Sequence, residues 1–154
     1  MYYAGYNSPL GQIIIVGDDN GVAYLNFADA LNIDDSWVKN DSFFNDVISQ
    51  LDDYFAKKLT DFTFKTQVIG TEFQKQVYKN IMQIPYGKVA SYTDIAKKLG
   101  DEKKVRAVAN ACGQNKNLIV MPCHRVIKKD GTVGGYTAGL DKKFFLMDLE
   151  EIKL

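Results

Sequence analysis

The sequence contains few residues that bind metals or form disulfides. Its 154 residues include two cysteines, Cys112 and Cys123, and a single histidine, His124. A structural zinc site needs four nitrogen or sulfur ligands, so three such residues argue against a zinc site. A single disulfide is also unexpected in a chain of this length without a signal peptide. We therefore predict two reduced thiols and no bound metal.

The sequence also lacks a long hydrophobic run. No apolar stretch reaches the roughly 18 residues that would span a membrane. The N-terminal residues MYYAGYNSPLG contain no basic region followed by a hydrophobic stretch. We therefore expect no membrane partner, and a location in the cytosol or, in a eukaryote, in the nucleus.

Charge is unevenly distributed along the chain, although the net charge is zero. Residues 1–70 contain four Lys and ten Asp, a net charge of −6, whereas residues 71–154 contain 15 Lys or Arg and nine Asp or Glu, a net charge of +6. A basic half suits a polyanionic partner. Two solvated surfaces of unequal charge explain the same pattern equally well.

Short apolar runs fill the first thirty positions. The runs MYYAGY, QIIIVG and VAYLNF are separated by the turn segments NSPLG and DDNG, which predicts a three-stranded meander. In the segment 41–59, apolar side chains then recur at helical spacing, which predicts a helix packed on the sheet. These side chains are Phe44, Val47, Ile48, Leu51 and Phe55. A boundary follows near KTQVIG, where Thr71 can cap the next helix.

The second half is predicted to be mainly helical. The segment TEFQKQVYKNIMQI has one apolar stripe and is expected to end at Pro85 and Gly87. The segment SYTDIAKKLG has a capping box from Ser91 to Asp94, and Gly100 stands where a left-handed C-terminal cap belongs.

The next helix, EKKVRAVANAC, has an apolar side and a basic side. Its apolar residues are Val105, Val108, Ala109 and Cys112, and we expect Cys112 to be a buried core thiol. Its outer residues are Lys103, Arg106, Ala107 and Asn110. Two short helices joined by a glycine turn, the second with a basic outer side, indicate a helix-turn-helix.

The segment LIVMPCHRVI brings the histidine next to a cysteine. LIVM predicts a short buried strand that Pro122 ends, because proline cannot donate a ladder hydrogen bond. His124 could take the Cys123 proton through a water if a carboxylate oriented the ring. A core thiol beside a hydrogen-bonded histidine explains the same residues, so this pair alone leaves both interpretations open.

Several motifs occur together in a fixed order. PCHRVI is followed by GGYTAGLDKK and preceded by IPYGKVASYTDIAKKLG, VRAVANA and NKNLIVM. Over residues 71–150 the chain resembles the O6-alkylguanine-DNA alkyltransferases, also called methylated-DNA–protein-cysteine methyltransferases, and SPLG with the meander resembles their N-terminal domain. The resemblance implies an α/β (α+β) fold. A small RNase H-like domain would cover residues 1–66, and a mainly helical domain with a winged-helix-like helix-turn-helix would cover residues 67–154.

The resemblance also implies an active site. Cys123 would be the alkyl acceptor, His124 its water-linked base and Glu150 the carboxylate that orients the histidine. Tyr92 would crowd the 3′ phosphate and protonate the guanine leaving group. The remaining implied positions are Tyr136 as the wall for the base, Thr137 near O6, the Val126 carbonyl for the exocyclic amine, Gly135 in the adjoining flexible loop, and Asn115 as a brace between the helix-turn-helix and the active-site segment.

The implied partner is double-stranded DNA, bound through its minor groove with little sequence specificity. Arg106 would enter the base stack in place of a flipped nucleotide. Small residues such as Ala107 would let the helix approach the groove closely. The other implied DNA contacts are Ser91, Lys103, Asn110 and Tyr92.

The implied function is direct-reversal DNA repair by a monomer. O6-alkylguanine, and O4-alkylthymine as well, would be flipped out of the duplex, and the alkyl group would pass irreversibly to Cys123 without a cofactor. One alternative is a protein that recognises lesions without reacting, which the presence of Cys123 disfavours. Another is a thiol hydrolase using Cys123, His124 and Glu150, which leaves Arg106 and Tyr92 unexplained.

Some positions depart from the family pattern. Asn110 stands where glycine is common, Lys116 where proline is usual, and Phe144–Phe145 where a Glu-Trp pair is frequent. Glu151 replaces the glycine that usually follows the carboxylate, which bears on how the last helix ends and on the position of Glu150. The lysine pairs at 128–129 and 142–143 are predicted to be solvated, without a specific role.

Overall fold

The first three apolar runs form the predicted meander. The computed structural model describes residues 1–154, beginning with the antiparallel strands β1 (Tyr2–Ser8), β2 (Gly11–Asp18) and β3 (Gly21–Phe27). A fourth strand, β4 (Val38–Lys39), pairs parallel to β1, so the sheet order is β3-β2-β1-β4. The prediction of a meander is confirmed, and the structure adds a short edge strand.

Helix α1 (Asn45–Phe55) packs on this sheet, as its spacing of apolar residues predicts. The hydroxyl of Tyr6 on β1 donates to Asp52 on α1 at 2.7 Å. The apolar side chains that the helix and the 3-10 turn before it bury are Phe44, Val47, Leu51 and Tyr54.

Residues Lys116–Val120 belong to this first unit. The Leu25 N–H donates to the Lys116 carbonyl at 2.9 Å, and the Leu118 N–H donates to the Leu25 carbonyl at 2.8 Å. The first compact unit comprises Met1–Gln67 and Lys116–Val120, and the second comprises Val68–Asn115 and Met121–Leu154. The segment joins the first unit although it is distant in sequence, because it pairs with β3.

The segment LIVM is buried but is not a strand, so that prediction is wrong. Ile119 has φ +72°, and the Val120 N–H donates to the Leu118 carbonyl at 2.8 Å. The Cys123 N–H donates to the Met121 carbonyl at 2.7 Å across Pro122, whose φ of −80° and ψ of 66° describe an inverse γ-turn. The restricted φ of proline therefore shapes a turn here instead of ending a strand.

The second unit contains the helices α2 (Glu72–Ile81), α3 (Tyr92–Lys98), α4 (Val105–Gly113) and α5 (Leu140–Leu149). Both predicted N-caps are confirmed: Thr71 caps α2 and Ser91 caps α3, each in a capping box. The α2 helix ends at Ile81, one turn before the stop predicted at Pro85. None of the chain's helices is both long and apolar enough to cross a lipid bilayer.

Helices α3 and α4 form the predicted helix-turn-helix. Gly100, with φ +94°, and a 3-10 turn at Glu102–Lys104 join them. Val108 and Cys112 of α4 are buried, and the predicted outer residues Lys103, Arg106, Ala107 and Asn110 are all exposed.

A two-stranded parallel sheet lies beside these helices. It pairs β5 (Ala90–Ser91) with β6 (Val126–Ile127). The first strand leads directly into α3, and the second follows the 3-10 turn Cys123–Arg125. The pairing therefore ties the start of the helix-turn-helix to the segment that carries the thiol.

Candidate active site

Cys123 lies at the bottom of an open pocket. Its side chain is 4% exposed, and its Sγ accepts a hydrogen bond from Asn115 Nδ2 at 3.2 Å. The same amide nitrogen donates to the Met121 carbonyl at 3.1 Å. Asn115 thus links the residues after α4 to the turn that carries the thiol, and an amide donor beside sulfur suits a thiolate nucleophile. Cys112 is also a free thiol and is buried, as predicted.

Behind the thiol, His124 and Glu150 form a fully buried pair. The imidazole Nε2 is 2.6 Å from Glu150 Oε2. Glu150 also accepts from Arg125 Nε at 2.8 Å and from Nη2 at 3.1 Å. An ionised carboxylate can only accept hydrogen bonds, so Nε2 carries the proton that it donates to Glu150. This tautomer leaves a lone pair on Nδ1.

The free nitrogen of His124 is suited to accept a proton. Nδ1 has no hydrogen-bond partner within the protein. Burial lowers the pKa of His124; hydrogen bonding to Glu150 opposes this effect, and the positive charges of Arg125 and Lys143 reinforce it. A neutral imidazole with one unoccupied lone pair is the form that acts as a general base.

Arg125 has no role predicted from the sequence, yet it holds the carboxylate in place. Its side chain is buried, Nη1 donates to the Ile84 carbonyl at 2.7 Å, and the guanidinium carbon lies 5.7 Å from the Tyr86 ring centroid. Together with the contacts to Glu150, these bonds use most of the guanidinium. The sequence contains one indication of this role: Arg125 lies within the apolar segment PCHRVI, and a charge that is buried there requires a partner.

The departure at Glu151 does not displace Glu150. Glu151 has φ +59°, its N–H donates to the Asp148 carbonyl at 3.0 Å, and the Ile152 N–H donates to the Met147 carbonyl at 2.9 Å. These two bonds make a Schellman motif, in which a left-handed residue normally follows the helix. A glutamate therefore adopts the conformation that glycine prefers, and the end of α5 is preserved.

Several implied site residues line one pocket of the second unit. They are Tyr92, Lys103, Arg106, Cys123, Gly135, Tyr136 and Thr137. His124 and Glu150 lie behind its wall, fully buried. Ala107 and Asn110 are exposed on α4 outside the pocket lining, and the Ser91 hydroxyl accepts from the Asp94 N–H as the cap of α3. The structure thus brings the thiol, a tyrosine and an arginine to one cavity.

Tyr92, at the start of α3, is 9% exposed and lines the pocket. Burial, followed by the charges of nearby Cys112 and Cys123, raises the pKa of Tyr92 to about 12. A protonated phenol therefore remains in the pocket at neutral pH. Gly134 packs against this ring: it has φ +76°, and a Cβ there would lie 3.1 Å from Tyr92 Cε2 and 3.2 Å from its hydroxyl oxygen.

Tyr136 and Thr137 present different hydroxyl groups. The Tyr136 oxygen is buried without a hydrogen-bond partner, and burial raises the pKa of this phenol. Thr137 Oγ1 donates to the Gly113 carbonyl at 2.7 Å. The single hydrogen of the threonine hydroxyl is therefore occupied, whereas the tyrosine hydroxyl is not.

Lys143 is not solvated, so the prediction for this lysine is wrong. Its side chain is 0% exposed, and Nζ donates to the carbonyls of Val126 at 2.7 Å, Val133 at 2.7 Å and Gly135 at 2.9 Å. Helical spacing could have predicted that Lys143 is buried, because residue 143 shares one side of α5 with the buried Leu146, Met147 and Glu150. A lysine at this register belongs to the inner side of the helix.

These features define a class of protein: a thiol protein in which a buried Cys-His-Glu arrangement shares one compact unit with a helix-turn-helix. Family models match both parts of the chain. Residues 72–152 match the 6-O-methylguanine DNA methyltransferase DNA-binding domain, and residues 1–68 match the ribonuclease-like domain of the same proteins. The chain belongs to the 6-O-methylguanine DNA methyltransferase family.

Individual relatives agree with this assignment. The methylated-DNA–protein-cysteine methyltransferase of Methanosarcina acetivorans is 45% identical over 97% of this chain and 98% of its own length. The crystal structure of Mycobacterium tuberculosis OGT in complex with DNA has a TM-score of 0.92 at 34% identity, covering 98% of this chain and 93% of that one. Schizosaccharomyces pombe Atl1, bound to damaged DNA containing O6-carboxymethylguanine, has a TM-score of 0.50 at 31% identity over 55% of this chain and 81% of its own. The mixed sheet-and-helix fold predicted from the sequence is confirmed.

Proposed function

We propose that this protein repairs DNA by moving an alkyl group from O6 of guanine to Sγ of Cys123, once per molecule. Membership of the family supports this function. The observation that carries it is the buried imidazole of His124, which is hydrogen-bonded to Glu150 at Nε2 and has a free lone pair at Nδ1. A base of this kind beside a buried thiol suits nucleophilic catalysis.

The reaction is a displacement at the alkyl carbon. His124 Nδ1 accepts the thiol proton through a water, the thiolate forms a carbon–sulfur bond, and the bond from carbon to O6 breaks. The guanine leaving group takes a proton from the Tyr92 hydroxyl, which regains one from the imidazolium or from solvent. The thioether product is not hydrolysed in water at neutral pH, so Cys123 acts once. The displacement uses only groups of the protein and the substrate, so no cofactor is needed.

Double-stranded DNA would lie along the exposed side of α4. The alkylated base must leave the helix, which costs a few kcal/mol of stacking and pairing. Arg106 would offset part of this cost by filling the gap, and Tyr92 would crowd the 3′ phosphate. Contacts from Ser91, Lys103, Ala107 and Asn110 would hold the minor groove without reading a sequence.

The flipped base would occupy the pocket above the thiol. Tyr136 would form its wall, and the Val126 carbonyl would accept from the exocyclic amine. Gly135 leaves space in the adjoining loop, because no atom beyond its two chain neighbours lies within 4 Å of the position its Cβ would take. A role for Thr137 as a donor to O6 requires its bond to the Gly113 carbonyl to open.

The proposal extends to the wider properties predicted from the sequence. O4-alkylthymine would be a second substrate, and the protein would act as a monomer in the compartment that holds its DNA, the cytosol or a nucleus. The RNase H-like and DNA-binding domains would be divided after residue 66. The basic second half of the chain supports contact with a polyanion through that half alone.

Intact-protein mass spectrometry tests the proposed reaction. After incubation with a duplex containing O6-methylguanine, we expect the protein to gain one methyl group on Cys123 while the lesion disappears. Cys123→Ser should show no gain. Cys112→Ser should still be methylated: Cys112 also lines the pocket, but its interaction with Cys123 and its burial raise the pKa of this thiol, so it stays protonated. Binding without a change in mass would indicate a lesion-recognition protein, and neither binding nor transfer would leave thiol hydrolysis as the explanation for the site.

A further inference from the structure

The buried ammonium of Lys143 joins the buried strand β6 to a loop at the pocket. On β6 the Val126 carbonyl accepts from Nζ, and on the loop the Val133 and Gly135 carbonyls do, of which Gly135 lines the pocket. Tyr136 follows this loop directly. The edge of the pocket that would meet the exocyclic amine and the wall that would stack on the base therefore share one cation.

The number of donors matches the number of acceptors. A protonated lysine has three N–H groups, and here each one has a backbone carbonyl partner. A carbonyl oxygen has two lone pairs, so the Val126 oxygen keeps one for a ligand after accepting from Lys143. Removing the side chain, or one of its protons, would release a carbonyl that now has a fixed place.

We propose that Lys143 is a positioning residue that makes the pocket selective for a base with an exocyclic amine beside the alkylated oxygen, by holding the Val126 carbonyl and the loop before Tyr136. The inference rests on the proposed function, because it assigns the Val126 carbonyl to the guanine amine. Lys143 itself does not touch the reacting atoms. Its effect is on substrate choice, which a purely stabilising lysine would not alter.

Two free bases that differ by one group test this role. O6-benzylguanine has the exocyclic amine, and O6-benzylhypoxanthine lacks it. We expect the wild type to react faster with the guanine, and Lys143→Met to lose about threefold to tenfold more rate on the guanine than on the hypoxanthine, which is the effect of one hydrogen bond. Lys142→Met is the matched control, since it removes the neighbouring lysine and should leave the ratio of the two rates unchanged.

The wild type provides a second measurement that needs no variant. Burial lowers the pKa of Lys143 to about 8, and negative charge on Cys112 or Cys123 opposes this effect. The other ionisable group in electrostatic contact with it is His124. Below the pKa the three-donor cation is present, so the guanine-to-hypoxanthine rate ratio should be high, and it should fall as the pH rises through about 8. Both substrates react at the same sulfur atom, so any change in its reactivity with pH cancels in the ratio.

The outcomes separate the two proposals. If Lys143→Met slows both bases equally, or if the wild-type ratio is flat with pH, Lys143 does not set selectivity and the inference is overturned. Should Lys143→Met fail to fold, as judged by circular dichroism, the pH dependence of the wild-type ratio decides alone. If Cys123 of the wild-type protein is alkylated by neither free base and not by the duplex, the proposed function is contradicted instead.

Discussion

The buried network around Glu150 and the exposed side of α4 use charge in opposite ways. In the network, His124, Arg125 and Glu150 are buried and hydrogen-bonded to one another. On α4, Arg106 and the nearby Lys103 are exposed. Buried charges are tolerated only with partners, whereas solvated cations cost little and gain energy when they meet phosphates. The contrast indicates that the proposed chemistry is built before DNA arrives and that recognition is completed by the DNA.

The largest effect is expected from breaking the buried network with Glu150→Gln. A neutral amide would leave the Arg125 guanidinium without a counter-charge, and its NH2 group would compete with the proton on His124 Nε2. We expect the rate of alkyl transfer to fall by about 100-fold and the free energy of unfolding to fall by about 3 kcal/mol. Single-turnover kinetics and urea denaturation measure the two effects.

Glu151→Gln provides the control for this experiment. It makes the same chemical change one residue later, at an exposed position outside the network. We expect its rate and stability to match those of the wild type. A Glu150→Gln variant that also matches the wild type would show that the carboxylate neither orients His124 nor balances Arg125.

A smaller and more selective effect is expected from Arg106→Ala on the exposed side. Loss of the side chain should slow the repair of duplex DNA by about 10- to 100-fold, because flipping the base costs a few kcal/mol and nothing would replace it in the stack. Reaction with free O6-benzylguanine should be nearly unchanged. Parallel single-turnover rates on the two substrates measure the difference.

Lys58→Ala removes the same charge from an exposed site on the first unit. We expect it to change neither rate, which would separate the local role of Arg106 from the overall charge of the protein. Equal losses on duplex DNA and free base for Arg106→Ala would contradict the assigned role.

The smallest effect is expected at the end of α5, next to the network. Glu151→Gly should raise the free energy of unfolding by about 0.5–1 kcal/mol, because glycine adopts φ +59° without the steric cost of a Cβ. Glu151→Ala removes the same carboxylate but keeps the Cβ, so it should not stabilise. Thermal unfolding of both variants measures this, and an equal gain in the alanine variant would attribute the effect to charge instead of φ.

Local features of the fold were predictable because they depend on residues close in sequence. Thr71 and Ser91 cap their helices through contacts three residues away, and Gly100 turns the chain alone. The prediction of a strand at LIVM is wrong because an apolar tetrapeptide is equally compatible with a buried turn. Its backbone partner, Leu25, lies far earlier in the chain.

The amino-acid sequence by itself determined the family, the order of its motifs and the identity of the candidate acceptor Cys123, because these depend on residue types at fixed spacing. Only the tertiary structure decided what surrounds that thiol. Arg125 and His124 meet Glu150 across about 25 residues, and Lys143 reaches Val126 across 17. Such contacts depend on where the chain returns in space, and burial then makes each one obligatory, because an unpaired charge in the interior would destabilise the fold.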